Sequence, residues 1–178
     1  MKNKILTVFS IVAVIALFVQ SFSVFAQDDK SKRPSPPAQV SEKIGNATVT
    51  IDYSQPAVKG RTIWGDLVPY GKVWRTGANE ATTFEVSTDV KVEGETLPAG
   101  KYALFTIPEK DEWTIILNSV PNQWGSFNHD PSKDVLKVKV KPEASSAATE
   151  RLTFEIDKNG TVALLWADLK VNFKVSTQ

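Results

Sequence analysis

Between Asp134 and Lys141 the chain reads DVLKVKVK. Successive side chains of a strand leave opposite faces, so Leu136, Val138 and Val140 fall on one side and Val135, Lys137, Lys139 and Lys141 on the other. An apolar row opposite a lysine row means one buried face and one wet face. The lysines also protect a sheet edge. Further strand signals lie at Ala47–Tyr53, Thr82–Val86, Val90–Val92, Lys101–Ile107, Trp113–Leu117 and Arg151–Ile156, then at Thr161–Trp166 and Asp168–Val175. Turns separate these runs at Glu93-Gly94-Glu95, Leu97-Pro98-Ala99-Gly100 and Glu109–Glu112. Asp157-Lys158-Asn159-Gly160 joins two runs, and Asn-Gly is a strong hairpin signal. No helix pattern and no internal repeat competes. The spacing predicts an all-β, single-domain antiparallel β-sandwich or jelly-roll-like fold of eight or nine strands, with a small barrel as the alternative.

The first residues follow a different logic. Met1-Lys2-Asn3-Lys4 precedes an apolar run from Ile5 to Val19, and Val24-Phe25-Ala26 ends the segment. This is the layout of a signal peptide over residues 1–26, and it predicts a periplasmic or secreted protein with no stable membrane anchor after cleavage. Residues 27–40 are polar and proline-rich and read as a flexible leader. Residues 41–178 read as the β domain.

Composition removes several chemistries. The chain has no cysteine, so an exported fold must rely on packing, and thiolate sites and cysteine nucleophiles are excluded. Its 21 basic and 20 acidic residues are interspersed, with no basic stripe for nucleic acid. There is no basic amphipathic helix to bind a membrane surface.

Two stretches exceed what a connection needs: Ser54 to Gly71, continued by Lys72 to Thr83, and Ser119 to Ser132. They combine aromatic faces with amides and charges, as a glycan or small polar ligand requires. Candidate ligand residues are Arg61, Trp64, Tyr70, Trp74, Arg75, Asn79, Glu80, Gln123, Trp124 and Asn128. Trp64, Trp74 and Trp124 are equally suited to capping the ends of a sandwich. Trp113 and Trp166 lie within strand patterns and read as core. If Val73–Gly77 is extended, Trp74 and Arg75 face opposite sides. An inward Arg75 then needs a carboxylate, Asp66 or Glu80, and the pair acts either as a latch or as an anion or sugar clamp.

His129 is the sole histidine, too few ligands for zinc, and Asp130 and Asp134 match no calcium-loop spacing. Ser126 beside Gly125 is no nucleophile elbow. No metal, cofactor or catalytic residue is expected. The rival to a binding role is a glycan hydrolase using Asp66 and Glu80 as its carboxylate pair.

At GRTIWGDLVPYGKVWRTGANEATTF, LPAGKYALFTIPEKDEWTIILN, NQWGSFNHDPSKDVLKVKV and LLWADLKVNF the chain resembles exported bacterial proteins grouped as domain of unknown function 2911 (DUF2911). The likeness covers about Pro34 to Val175. It implies a secreted β-rich domain and brings no established activity, cofactor or catalytic residue. Some relatives carry an asparagine synthetase label, which a chain without a cysteine nucleophile does not support. The family position of His129 is usually another aromatic residue, which implies that His129 carries no shared chemistry. The sequence thus predicts a non-enzymatic binding or envelope-associated module. A protein-interaction module in an envelope complex is a third reading.

Overall fold

The computed structural model describes residues 29–177, and the expected signal peptide, residues 1–26, lies outside the described residues. After a 3₁₀ turn at Lys30–Lys32 come β1 (Pro37–Ile44), β2 (Ala47–Ser54), β3 (Thr83–Val86), β4 (Val90–Val92) and β5 (Glu95–Leu97). They are followed by β6 (Gly100–Ile107), β7 (Trp113–Asn118), a 3₁₀ turn at Pro131–Lys133, β8 (Asp134–Val140), β9 (Pro142–Ile156) and β10 (Thr161–Thr177). Among the described residues these ten strands form two antiparallel sheets, ordered β1-β2-β3-β6-β7-β8 and β5-β4-β10-β9. The all-β sandwich expected from the alternation is the fold, and it is not a closed barrel.

The facing sheets enclose one large core built from the inward positions of each strand. In β8, Leu136, Val138 and Val140 are buried, while Val135 and the lysines face out. Trp113 and Trp166 are 0% and 1% exposed, as their place in strand patterns predicts. The central strands β6 and β7 are apolar on both faces. A strand of that kind must be covered twice. Their outer face carries a second cluster of Ala81, Ala103, Phe105 and Ile116, with Val73 and Ile107 packed against it. The cover comes from the two long loops, which explains why they are ordered without strands of their own.

Three elements depart from the sequence reading. First, β1 begins at Pro37, inside the stretch read as a flexible leader, and pairs with β2 from Pro37↔Ser54 to Ile44↔Ala47. Its apolar alternation is weak because it is an edge strand whose inward side chains, Ala38 and Val40, only partly reach the core. Pro37 is tolerated at the first position, where a missing N–H costs little. Second, β5 pairs over three residues with β4 and places Leu97 at 0% exposure, where the sequence suggested only a turn.

Third, the two expected C-terminal strands are one continuous element. β10 nevertheless folds back, because Val175 N–H donates to Gly160 O at 2.7 Å across fourteen intervening positions that would span tens of ångströms if straight. The reversal falls at Ala167, which has φ 52° and register shifts on both sides. Across it the buried positions switch from Val162, Leu164 and Trp166 to Val171, Phe173 and Val175. The β9–β10 turn forms as expected, but with Gly160 at φ 85° and Asn159 outside the positive-φ set. Gly160 N–H bonds back to Asp157 O, and the Asp157 side chain accepts Thr161 N–H.

Candidate functional site

The two long loops meet through their backbones. Ala81 N–H donates to Gln123 O at 3.0 Å and Gly125 N–H to Asn79 O at 3.1 Å, making a bridge between Glu80 and Trp124. The side chains then diverge, and the candidate residues split between two hollows.

The first hollow is a cavity of about 320 Å³ under the loop from Ser54. Trp74 and Trp166 stack beneath it with ring centroids 5.8 Å apart and planes at 17°. Arg61, Arg75 and Asn79 supply polar lining, and Leu67, Ala78 and Ser35 complete the rim. Trp74 is held from both sides. Its backbone exchanges bonds with Thr106 at 2.8 and 2.9 Å, and its indole N–H donates to Gly77 O at 3.2 Å. Trp64, half-buried, meets Trp74, Trp113 and Trp166 edge-on at 6.0, 5.0 and 5.7 Å. Such contacts add about 0.5–1.5 kcal/mol each beyond burial. Trp64 therefore belongs to the tryptophan core rather than to a free ligand surface.

The wall of this cavity is the turn Arg75-Thr76-Gly77-Ala78-Asn79. Thr76 and Asn79 hold left-handed conformations, φ 56° and 60°. That is costly for a β-branched residue, and it persists only where surrounding bonds over-determine it. Thr76 Oγ1 bonds Thr106 Oγ1 and Trp74 O, while Thr82 Oγ1 donates to Thr76 O at 2.8 Å. The Asn79 amide donates to Ser35 O and Ser54 Oγ.

Arg75 does not find the carboxylate that the sequence led us to expect. Among the described residues no acid pairs with it, and its Nε is buried without a hydrogen-bond partner. Burial pulls the guanidinium pKa down from its usual value. Asp66 is exposed and lines neither hollow. Glu80 is taken by the N-terminal segment. Arg33 Nη1 reaches both of its oxygens at 3.1 and 2.9 Å, and Lys30 Nζ lies 2.9 Å away. Burial pushes the Glu80 carboxyl up, but bonds from Lys30, its own backbone N–H and Arg33 outweigh this and hold its pKa at about 2. Held ionised by Lys30 and Arg33, Glu80 is unsuited to the general-acid role near neutrality, and Asp66 does not line the groove that Glu80 lines.

Residues 30–35 are thereby strapped onto the site, and a pH prediction follows. A carboxyl near 2 when folded and near 4.5 when free stabilises the strap fully above 4.5. That contribution is lost as pH falls from 4.5 towards 2. Amide exchange at Ser31, Lys32 and Arg33 should accelerate between pH 6 and pH 3 by more than base-corrected rates allow. A flat corrected rate would show that Glu80 does not hold the strap.

The second hollow is a groove of about 300 Å³ lined by Glu80, Ala81, Thr83, Asn122, Gln123 and Trp124. Trp124 is 57% exposed, and Phe127 nearby is 86% exposed. Asn128 is exposed and lines neither hollow. Tyr70 packs over Gly65, where a Cβ would come within 2.8 Å of its ring, so it is a loop brace.

His129 also has a structural post. Its Nε2 lies 2.8 Å from Asp134 Oδ1, and its ring meets Phe105 edge-on at 5.0 Å. Asn118, 0% exposed, donates to the same Asp134 oxygen and to Asp130 O. Burial pushes the Asp134 carboxyl up, and bonds from Asn118, Lys137 and His129 more than reverse it. His129→Ala should cost about 1–3 kcal/mol, by leaving a buried carboxylate short of a donor. Exchange across residues 119–133 should quicken more than in β6. Equal acceleration in both would mean that His129 supports the fold generally and not this loop.

Sequence reasoning thus found Arg61, Trp74, Arg75 and Asn79 for one hollow and Glu80, Gln123 and Trp124 for the other. It missed Trp166 and Ser35 at the cavity, and Lys30 and Arg33 at Glu80. Trp166 was legible as core, and its ring is large enough to reach from core to cavity. Nothing local marks a strap whose partner lies 47 residues away.

Residues 35–175 match a family model described as "Protein of unknown function (DUF2911)". No curated protein and no solved structure gave a match.

Proposed function

The chain belongs to the DUF2911 family, a family with no assigned activity, and from its geometry we propose that it is a non-enzymatic binding module for a small polar ligand. The observation that carries this reading is the cavity of about 320 Å³ whose lining brings together Trp74, Trp166, Asn79, Arg61 and Arg75. That volume and that mix suit a ligand of sugar size. The strained Thr76–Asn79 turn supports it, since strain of this kind collects at ligand clamps. The signal-like residues 1–26 support a periplasmic or secreted location. Mass spectrometry of the protein recovered from its native cells should find the N-terminus at Gln27; an intact Met1 would refute export by cleavage.

The reading is tested by melting the purified protein against sugars, peptidoglycan fragments, nucleotides and divalent cations. A ligand at a hundred times its Kd adds about 2.7 kcal/mol, several degrees for a domain of this size. Leu67 is 44% exposed on the cavity rim, so Leu67→Trp should block the mouth without harming the fold. Loss of the shift in that variant places the ligand in the cavity. A flat panel would favour a second reading, a protein-interaction module. Its support is the exposed apolar trio Val120, Trp124 and Phe127 on one loop.

A further inference from the structure

We infer that the cavity between Arg61 and Arg75 receives an organic oxyanion: a carboxylate or phosphate group carried on a body with a flat apolar edge. The inference rests on the binding-module reading and names the ligand chemistry of that same site.

No Asp or Glu lines the cavity. The candidate acids are engaged or turned away. Glu80 is held by Lys30 and Arg33, Glu150 accepts Lys59 N–H, and Asp66 is exposed outside the lining. Arg75 is left half-buried with no acidic partner among the described residues. An uncompensated buried charge is among the most destabilising features a fold can carry, and replacing it with an apolar side chain is often stabilising. A position that keeps it is a candidate for function, because the missing partner can be the ligand.

Geometry narrows the partner. Arg61 is already clamped: its Nε donates to Val58 O at 3.0 Å and its Nη2 to Ala57 O. Two of its three nitrogens therefore fix the guanidinium plane before any ligand arrives. A fixed fork suits the paired oxygens of a carboxylate or phosphate, and pre-organisation spares the side-chain entropy that binding otherwise consumes. The rest of the lining includes apolar side chains: Trp74 and Trp166, stacked on each other, with Leu67 and Ala78. A bare ion would leave this surface idle, and about 320 Å³ is far more space than one needs.

The test uses one frame with one group changed: glucose, glucuronate, glucose 6-phosphate and inorganic phosphate, each titrated by calorimetry and melting. Glucuronate or glucose 6-phosphate should bind at least tenfold more tightly than glucose, and more weakly as salt rises. The stronger of the two arms tells carboxylate from phosphate. Glucose binding as tightly as both would overturn the inference. If that neutral binding were lost in Leu67→Trp, the binding-module reading would survive alone. Inorganic phosphate reproducing the full affinity would overturn the apolar-edge requirement. Silence of both charged sugars would overturn the inference whatever else binds.

Arg75→Met supplies a readout that does not depend on the choice of sugar. It should raise the melting temperature of the unliganded protein by a few degrees while abolishing the response to the charged sugar. A structural arginine would do the reverse, so a lower melting temperature with binding intact would overturn the inference. Arg75→Lys keeps the charge and loses the fork, and should retain only a fraction of the affinity.

Discussion

Gly160→Ala should lower the stability of this protein by about 3–5 kcal/mol, a fall of roughly 8–15 °C in Tm. Three effects add. Gly160 sits at φ 85°, a conformation that costs an alanine about 1 kcal/mol or more. A Cβ there would lie 2.0 Å from Val175 O and 3.2 Å from Ile44 Cγ2, so either the turn or the returning half of β10 must move. Overpacking of that kind costs about 1–3 kcal/mol. The movement also strains the 2.7 Å bond from Val175 N–H to Gly160 O, which closes β10 on itself. Gly94 is the internal control. It has φ 89° and nothing within 4 Å of its would-be Cβ, so Gly94→Ala should show the backbone penalty alone. Urea denaturation of the two variants separates crowding from backbone strain. Equal losses would mean that β10 does not fold back against Gly160.

Trp166→Ala should cost about 3–5 kcal/mol, the range for removing a buried aromatic ring. The ring is 1% exposed, stacks on Trp74 and meets Trp64 edge-on, so its loss leaves a void at the centre of the tryptophan cluster. It also removes the floor of the cavity, and any ligand response should vanish with it. Trp124→Ala is the contrast. At 57% exposure it should change stability by no more than about 0.5 kcal/mol. Thermal melts of the two variants measure the difference directly. Comparable losses would show that Trp124 packs more than its exposure implies.

Trp166 and Arg75 mark how far the sequence can be read. Trp166 is legible as core because it lies in a strand run, and periodicity reports burial. Its second role, as cavity floor beside Trp74, arises from a contact between positions 92 residues apart, which no local pattern encodes. Arg75 shows the same boundary from the other side. Alternation at Val73–Arg75 leads one to expect Trp74 and Arg75 on opposite sides, yet both line one cavity; burial physics says that an inward arginine wants an acid. The nearest acid in sequence, Glu80, turns instead to Arg33 and Lys30, because β1 carries the N-terminal strap across that face. The edge strand itself is faint in sequence, since one partly buried face needs few apolar residues.

What the sequence determined by itself is the set of strands with a dry face and a wet face, the turns that separate most of them, and hence an all-β sandwich. Each follows from interactions within a few residues: side-chain alternation, proline and glycine geometry, Asx bonding. It also determined the polar–aromatic content of the two long loops. The tertiary structure decided how that content is shared out. It sent Trp64 into the core, His129 to Asp134 and Glu80 to the strap, and left Arg61 and Arg75 around a cavity without an acid. The reason is that charge pairing and ring packing depend on distance in space, and here that distance is set by loops folding over the outer face of a sheet whose central strands are apolar on both sides.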